Sequence, residues 1–275
     1  MKKDLQLFQE LVWQKGRELY RDMPWRCDTR PYYVLVSELM LQQTQVARVI
    51  PKFQAFIERF PDEYALAQAS LADVLRLWQG LGYNRRARFL HEAARMIVDE
   101  YKGEFPSDEA RLIKLSGVGK NTAGAVRAYS FNQPSVFIET NVRTVYFHHF
   151  FQNQENISDK ELYEMVARTM DVEHPREWYW ALMDYGSWLK AQGISNVSRS
   201  THYTKQSPLR GSLRETRGVI LRQLVGSEAV LIEDLRTQIA MDDRFDTALA
   251  GLIRDKLLTQ NDDQIALFQD IPRKV

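Results

Sequence analysis

The stretch LSGVGKNTAGAV (residues 115–126) sets two glycines around a valine, adds a lysine, and then opens a run of small residues at helical spacing. Glycine tolerates positive φ and lets another group approach the main chain, so Gly117, Val118 and Gly119 predict a tight turn, with Thr122 opening the helix behind it. The unpaired N–H groups of such a turn and the positive end of the helix dipole suit one phosphate, and Lys120 adds a mobile charge. A turn that merely connects two helices reads the same way from these residues alone.

Outward from that turn the 275 residues read as helical. Apolar residues recur at helical spacing in 5–12, 34–50, 71–78, 89–98 and 162–170, with Pro24, Pro31, Pro51, Pro61 and Pro106 at the breaks. The length allows about two domains. Lys plus Arg number 37 against 36 Asp plus Glu, so any basic footprint must be local. Cys27 is the single cysteine, which argues against an internal disulfide and a cysteine-held metal cluster and fits a reducing compartment. The N-terminal residues carry charge without a signal-peptide core, and no run of about 18 apolar residues occurs, so a soluble intracellular protein with no membrane partner is expected.

Residues 196–217 are polar, turn-rich and basic. Arg199, Lys205, Arg210, Arg214 and Arg217 face only Glu215, which reads as a linker able to touch an anionic surface. Three short helical patterns follow (219–224, 231–239 and 247–258), then a turn and strand in TQNDDQIALF (259–268). That is the order of a winged helix whose third helix carries Arg254 and Lys256. A small helical packing domain has the same triplet.

MPWRCDTRPYYVLVSELMLQQTQVARVIPKF (23–53), LWQGLGYNRRARFLHEAA (77–94), LSGVGKNTAGAV and ETNVRTV (139–145) stand in one order. Together they resemble the MutY-type adenine glycosylases of the helix-hairpin-helix DNA glycosylase superfamily, over about residues 5–190, with Ser116 where the hairpin usually has proline. The resemblance implies an all-α fold of two helical subdomains with a DNA cleft between them, over residues 1–195. A six-helix barrel at about 30–135 and a second subdomain from 1–29 plus 136–195 are expected. The basic linker 196–217 and a small winged-helix-like domain at 218–275 would follow. It also implies that Gly117, Val118, Gly119 and Lys120 grip a DNA phosphate.

Glu38 has Val34, Leu35 and Leu41 as its helical neighbours. A carboxyl desolvated among apolar groups holds its proton closer to neutral pH and can act as a general acid. A surface glutamate paired with a cation is the alternative, and the resemblance favours the acid, which in the family protonates the purine. Cleaving an N-glycosidic bond builds positive charge on the sugar, and Glu139 stands where the family has the aspartate that faces it. The extra methylene moves that carboxylate by about 1 Å or more, which bears on rate. Strand-cutting relatives carry a lysine at the place of Asn121, because an amine must form the Schiff base. Lys120 is one residue earlier, about 100° around a helix, so base removal without an efficient lyase step is expected.

Flipping a base leaves a gap in the stack. Gln43 and Tyr83 match the residues that wedge into the duplex, flanked by Thr44 and Leu81. Arg85, Arg86 and Arg88 are candidate phosphate contacts. An exposed loop aromatic and a solvated helix face are the alternatives. Trp25 and Arg26 match the family's base-pocket wall, whereas Trp180 replaces the usual Gln or Glu and offers a single donor and a stacking face.

The family's iron–sulfur cysteines correspond here to Lys190, Val197, Ser200 and Gln206, so no cluster, and no other metal or cofactor, is expected. A Nudix-like C-terminal domain is likewise not expected. The resulting expectation is a monomeric, monofunctional glycosylase of base excision repair, cytoplasmic and nucleoid-associated. Its partner would be double-stranded DNA carrying a mispaired or damaged base, and it would excise adenine opposite 8-oxoguanine or guanine. A thymine or uracil glycosylase acting opposite guanine, and a non-catalytic DNA-binding protein on a degenerate scaffold, are the alternatives.

Overall fold

The computed structural model describes residues 2–201, 207–227, 229–239 and 243–268. In chain order its helices are α1 (Lys2–Leu19), α2 (Pro24–Cys27), α3 (Pro31–Leu41), α4 (Val46–Arg59), α5 (Glu63–Gln68), α6 (Leu71–Trp78) and α7 (Arg85–Asp99). They continue with α8 (Glu109–Leu112), α9 (Lys120–Phe131), α10 (Thr140–Phe150), α11 (Asp159–Thr169), α12 (Pro175–Ala191), α13 (Leu213–Leu224), α14 (Ile232–Ile239) and α15 (Arg244–Arg254). A single 3₁₀ turn (Val197–Arg199) and three short strands, β1 (Val230–Leu231), β2 (Leu258–Asn261) and β3 (Gln264–Leu267), complete the described elements.

The chain divides into two compact units. The first takes residues up to 35, 106–114 and 118 to 201, and α12 is its central helix, packed against α1, α9 and α10. Small residues set those approaches. A Cβ on Gly16 would lie 2.6 Å from the Ala181 Cβ, and one on Gly186 would lie 2.3 Å from the Asn141 carbonyl oxygen. Trp178, Tyr179, Tyr146 and Phe147 are fully buried around this seam, and Phe137 stacks on Tyr179 with ring centroids 3.9 Å apart. Aromatic side chains of this size contribute about 1.5–3 kcal/mol each on burial.

The second unit holds residues 36–105, 115–117 and the described residues from 207 onward. Val36, Leu39 and Met40 of α3, Phe56 of α4 and Trp78 of α6 are fully buried in it. The expected 34–50 helix is two helices, because the chain turns at Gln43 with φ 55° between α3 and α4. Pro51 does not mark a break but lies inside α4, where the ring removes one N–H without ending the helix. At the C-terminal end α13 packs on α14 and α15, and a three-stranded antiparallel sheet of order β1-β3-β2 lies beside them. Val230 and Gln260 both pair with Ile265, which is fully buried. The third helix stops at Arg254 rather than at 258, since Lys256 turns with φ 50° to enter β2. Among the described residues, no helix is long and apolar enough to cross a membrane.

Candidate active site

Gly117 has φ 76°, and a Cβ there would also meet the Phe89 Cβ at 2.7 Å, so two independent constraints select glycine. Gly119 is extended (φ −92°) and forms the N-cap of α9, with open space where its Cβ would be. The helix starts at Lys120, two residues before the expected Thr122, which places the N–H groups of its first turn directly behind Gly119. Val118 is buried, so its contribution to any interface is main chain, while Lys120 is exposed. Ser116 donates its hydroxyl to Glu92 at 2.7 Å.

Asn121 clamps the segment that leads into α10. Its amide donates to the Ile138 carbonyl at 3.2 Å, and its carbonyl oxygen accepts from the Ile138 N–H at 3.3 Å. Gly124 lets the same segment approach, since a Cβ there would lie 2.9 Å from the Phe137 Cβ. The clamp delivers Glu139 to the N-cap of α10, half-buried. Burial pushes its carboxyl up from the ordinary range, and the positive charges of Lys190 and Arg143 pull it back. Glu38, in the other unit, is half-buried on α3, with Val34, Leu35 and Leu39 buried around it.

The pocket wall expected at Trp25, Arg26 and Trp180 is held by a residue outside the expected set. Asp184 of α12 accepts from Arg26 Nη1 at 2.7 Å and Nη2 at 3.0 Å, and from Arg21 Nε at 2.6 Å. The Arg26 guanidinium is thereby committed, and the Trp180 and Tyr20 rings cover it at 5.4 and 5.3 Å. Trp180 also stacks on Tyr129, with ring planes 20° apart. Trp25 is buried. A lone acid in the middle of the apolar run WYWALMDYGSWL (178–189) is the signal that points to Asp184 in the sequence.

The basic run at 85–88 separates by helical phase. Arg86 is not an available phosphate contact. It is buried, and its Nη1 donates to the carbonyls of Leu39, Met40 and Gln42 at 2.6–3.0 Å. Nη2 donates to Leu81 and Gly82 carbonyls and to Thr44 Oγ1. Burial lowers its pKa to about 10, still charged at neutral pH. Arg88 is also committed, donating to the Asp255 carbonyl at 2.6 Å and pairing with Glu92. Arg85 alone of the three is well exposed, at 57% of its side chain. Leu81 is buried and offers its carbonyl, not its side chain, to Thr44 and Arg86. Arg86→Met is expected to cost about 3 kcal/mol by stranding these carbonyls, against under about 0.5 kcal/mol for Arg85→Met, as read by denaturant unfolding.

Gln43 and Tyr83 both sit in left-handed conformations, φ 55° and 48°, which are uncommon for residues other than glycine. Tyr83 is held by Arg214 of α13, whose Nη1 donates to the phenol oxygen and whose guanidinium lies over the ring at 5.1 Å. In sequence Arg214 reads only as part of a basic linker. Arg199 is spent differently, donating to the Gln152 carbonyl at 2.7 Å and pairing with Glu155. Lys205 and Gln206 lie outside the described residues.

With this geometry in view, residues 36–170 match the family described as HhH-GPD superfamily base excision DNA repair protein. This segment is an HhH-GPD domain. The chain is 37% identical over 168 residues to the adenine DNA glycosylase of Buchnera aphidicola subsp. Baizongia pistaciae, covering 61% of this chain and 48% of that protein. It is 47% identical over 129 residues to the adenine DNA glycosylase of Mycolicibacterium smegmatis, covering 46% of this chain and 43% of that one. Among solved structures it is similar to a thermostable thymine-DNA glycosylase, with a TM-score of 0.62 at 25% identity over 68% of this chain and 87% of that one. The chain spans about half the length of the curated relatives it matches.

The residues at three of the family's four cluster positions do not fit an iron–sulfur cluster. Lys190 Nζ donates to Asn141 Oδ1 at 2.7 Å, Ser200 Oγ accepts from Arg143 at 3.1 Å, and Val197 has no donor atom. Cys27 is exposed on α2. Ile157 and Ser200 instead form a parallel bridge that fastens the segment after α12 onto its own unit.

Proposed function

We propose that this chain is a monofunctional DNA glycosylase that hydrolyses the N-glycosidic bond of a flipped-out adenine mispaired with 8-oxoguanine or guanine. The observation that carries this reading is its 30–47% identity to adenine DNA glycosylases of several bacteria and of human. Glu38 protonates the purine and makes it a neutral leaving group. The Glu139 carboxylate stabilises the positive charge that develops on the sugar, and water completes the substitution to leave free adenine and an abasic site. Asn121 holds Glu139 in place through Ile138 and, as an amide, forms no Schiff base, so the strand stays intact.

Duplex DNA is the partner of a monomer acting on the nucleoid in the cytoplasm. The main-chain N–H groups at Gly117–Val118–Gly119, with Lys120, take one phosphate, and Arg85 a second. Tyr83 and Gln43 fill the gap left by the flipped base, and Trp25 and Trp180 wall the pocket. The module of α13, α14, α15 and the sheet acts as a winged helix, with exposed Arg254 and Lys256 toward the backbone.

Single-turnover cleavage of end-labelled duplexes tests the substrate, using A opposite 8-oxoguanine, A opposite G, T opposite G and U opposite G, each read with and without hot alkali. Alkali-dependent breaks confined to the adenine duplexes are the expected result. Likeness to a thymine-DNA glycosylase, and Trp180 in the pocket wall, support thymine or uracil removal as the second reading, which predicts breaks confined to the T and U duplexes.

A further inference from the structure

Lys190 stands in the last turn of α12, which approaches α10 so closely at Gly186 that any side chain there would strike the Asn141 carbonyl. Its ammonium donates to Asn141 Oδ1 at 2.7 Å, two residues after Glu139 at the N-cap of α10. We propose that Lys190 is a positioning residue for Glu139: anchored on Asn141, it fixes the start of α10 and sets a positive charge beside the carboxylate. The inference rests on Glu139 being the sugar-facing group.

The lysine hydrogen-bonds the Asn141 amide, while its charge acts on the Glu139 carboxylate. Two cations act on Glu139, Lys190 from α12 and Arg143 from its own helix. Arg143 is already shared with Asp159 of α11 at 2.7 Å and with Ser200. Asn121, the contribution of α9 to this corner, is uncharged. Burial favours the protonated, inactive form of Glu139, and Lys190 opposes it. Burial in turn lowers the Lys190 pKa, and Glu139 raises it, the reciprocal of the same interaction.

The test is the pH dependence of single-turnover adenine release by the wild type, Lys190→Met, Lys190→Gln and Lys190→Arg. Glu139 works ionised, so removing the charge raises its pKa and moves the acid limb to higher pH. Lys190→Met is expected to be about tenfold slower near pH 6 and within about twofold of wild type near pH 8.5. Lys190→Gln, which keeps a donor for Asn141 without the charge, shows the same shift, and Lys190→Arg restores the wild-type limb. An unmoved profile in both neutral variants overturns the proposal. So does a uniform loss at every pH with a lowered melting temperature, which marks a merely structural role. Glu139→Gln is the control on the underlying reading: if it retains wild-type rate, Glu139 is not the sugar-facing group and both fall together.

Discussion

Glu38→Gln is expected to lower the single-turnover rate of adenine release by about 10³-fold while leaving duplex affinity within about twofold and the fold intact. The carboxyl sits half-buried on α3 among Val34, Leu35 and Leu39, and a glutamine side chain fills the same volume there. What is lost is the proton. An amide donates a hydrogen bond but transfers no proton to the purine, so adenine must leave as an anion, and general acid assistance of this kind is worth about 10²–10⁴-fold. The activity expected to remain is that of Glu139 in the role proposed for it beside the sugar. A rate within about tenfold of wild type would remove Glu38 from the chemistry. Unaltered behaviour on every duplex is what a non-catalytic binder predicts.

The largest stability effect is expected at Asp184. Its carboxylate is almost wholly buried and accepts from two guanidinium nitrogens of Arg26, from Arg21 Nε and from the Arg21 main-chain N–H at 3.2 Å. Asp184→Asn removes the negative charge and one of the two acceptor oxygens, setting an NH2 donor against the buried Arg26 guanidinium, whose other partners are the Arg21 carbonyl and the aromatic faces of Tyr20 and Trp180. Breaking one side of a buried pair costs about 3–5 kcal/mol, since the surviving charge loses its compensation. The thermal midpoint should drop by about 10 °C at the usual 2–4 °C per kcal/mol for a chain of this size. Arg26→Met combined with Asp184→Leu should recover most of the loss, because no fully buried charge is then stranded: Arg21, which also loses Asp184, has a side chain 35% exposed and keeps Ser187 Oγ and the Met183 carbonyl. Denaturant unfolding of the two single variants and the double variant measures the coupling, and a loss below about 1 kcal/mol for Asp184→Asn would show that water already reaches the pair.

Local pattern made the helices, the Gly-Val-Gly turn and the order of the four motifs legible, because helical spacing and glycine chemistry act over a few residues. What stayed hidden depends on partners far along the chain. Arg85, Arg86 and Arg88 read alike in sequence, yet helical phase turns Arg86 inward onto the carbonyls that end α3, 44 to 47 residues away. Arg26 carries its partner 158 residues later, and Tyr83 meets Arg214 131 residues later, across segments that no motif connects. Strand β1 has only two residues, too few for any alternation to register. Lys190 was legible only as a departure from the family's cysteine, and its bond to Asn141 emerges once α10 and α12 pack at Gly186.

The most direct measurement is mass-spectrometric identification of the base set free from a duplex carrying adenine opposite 8-oxoguanine, with the DNA product sized in parallel. Stoichiometric free adenine, and an abasic site in an unbroken strand that alkali then cleaves, are the expected products. Thymine or uracil released from matched control duplexes while adenine stays bound, or strand scission without alkali at the rate of base release, would contradict the proposed function.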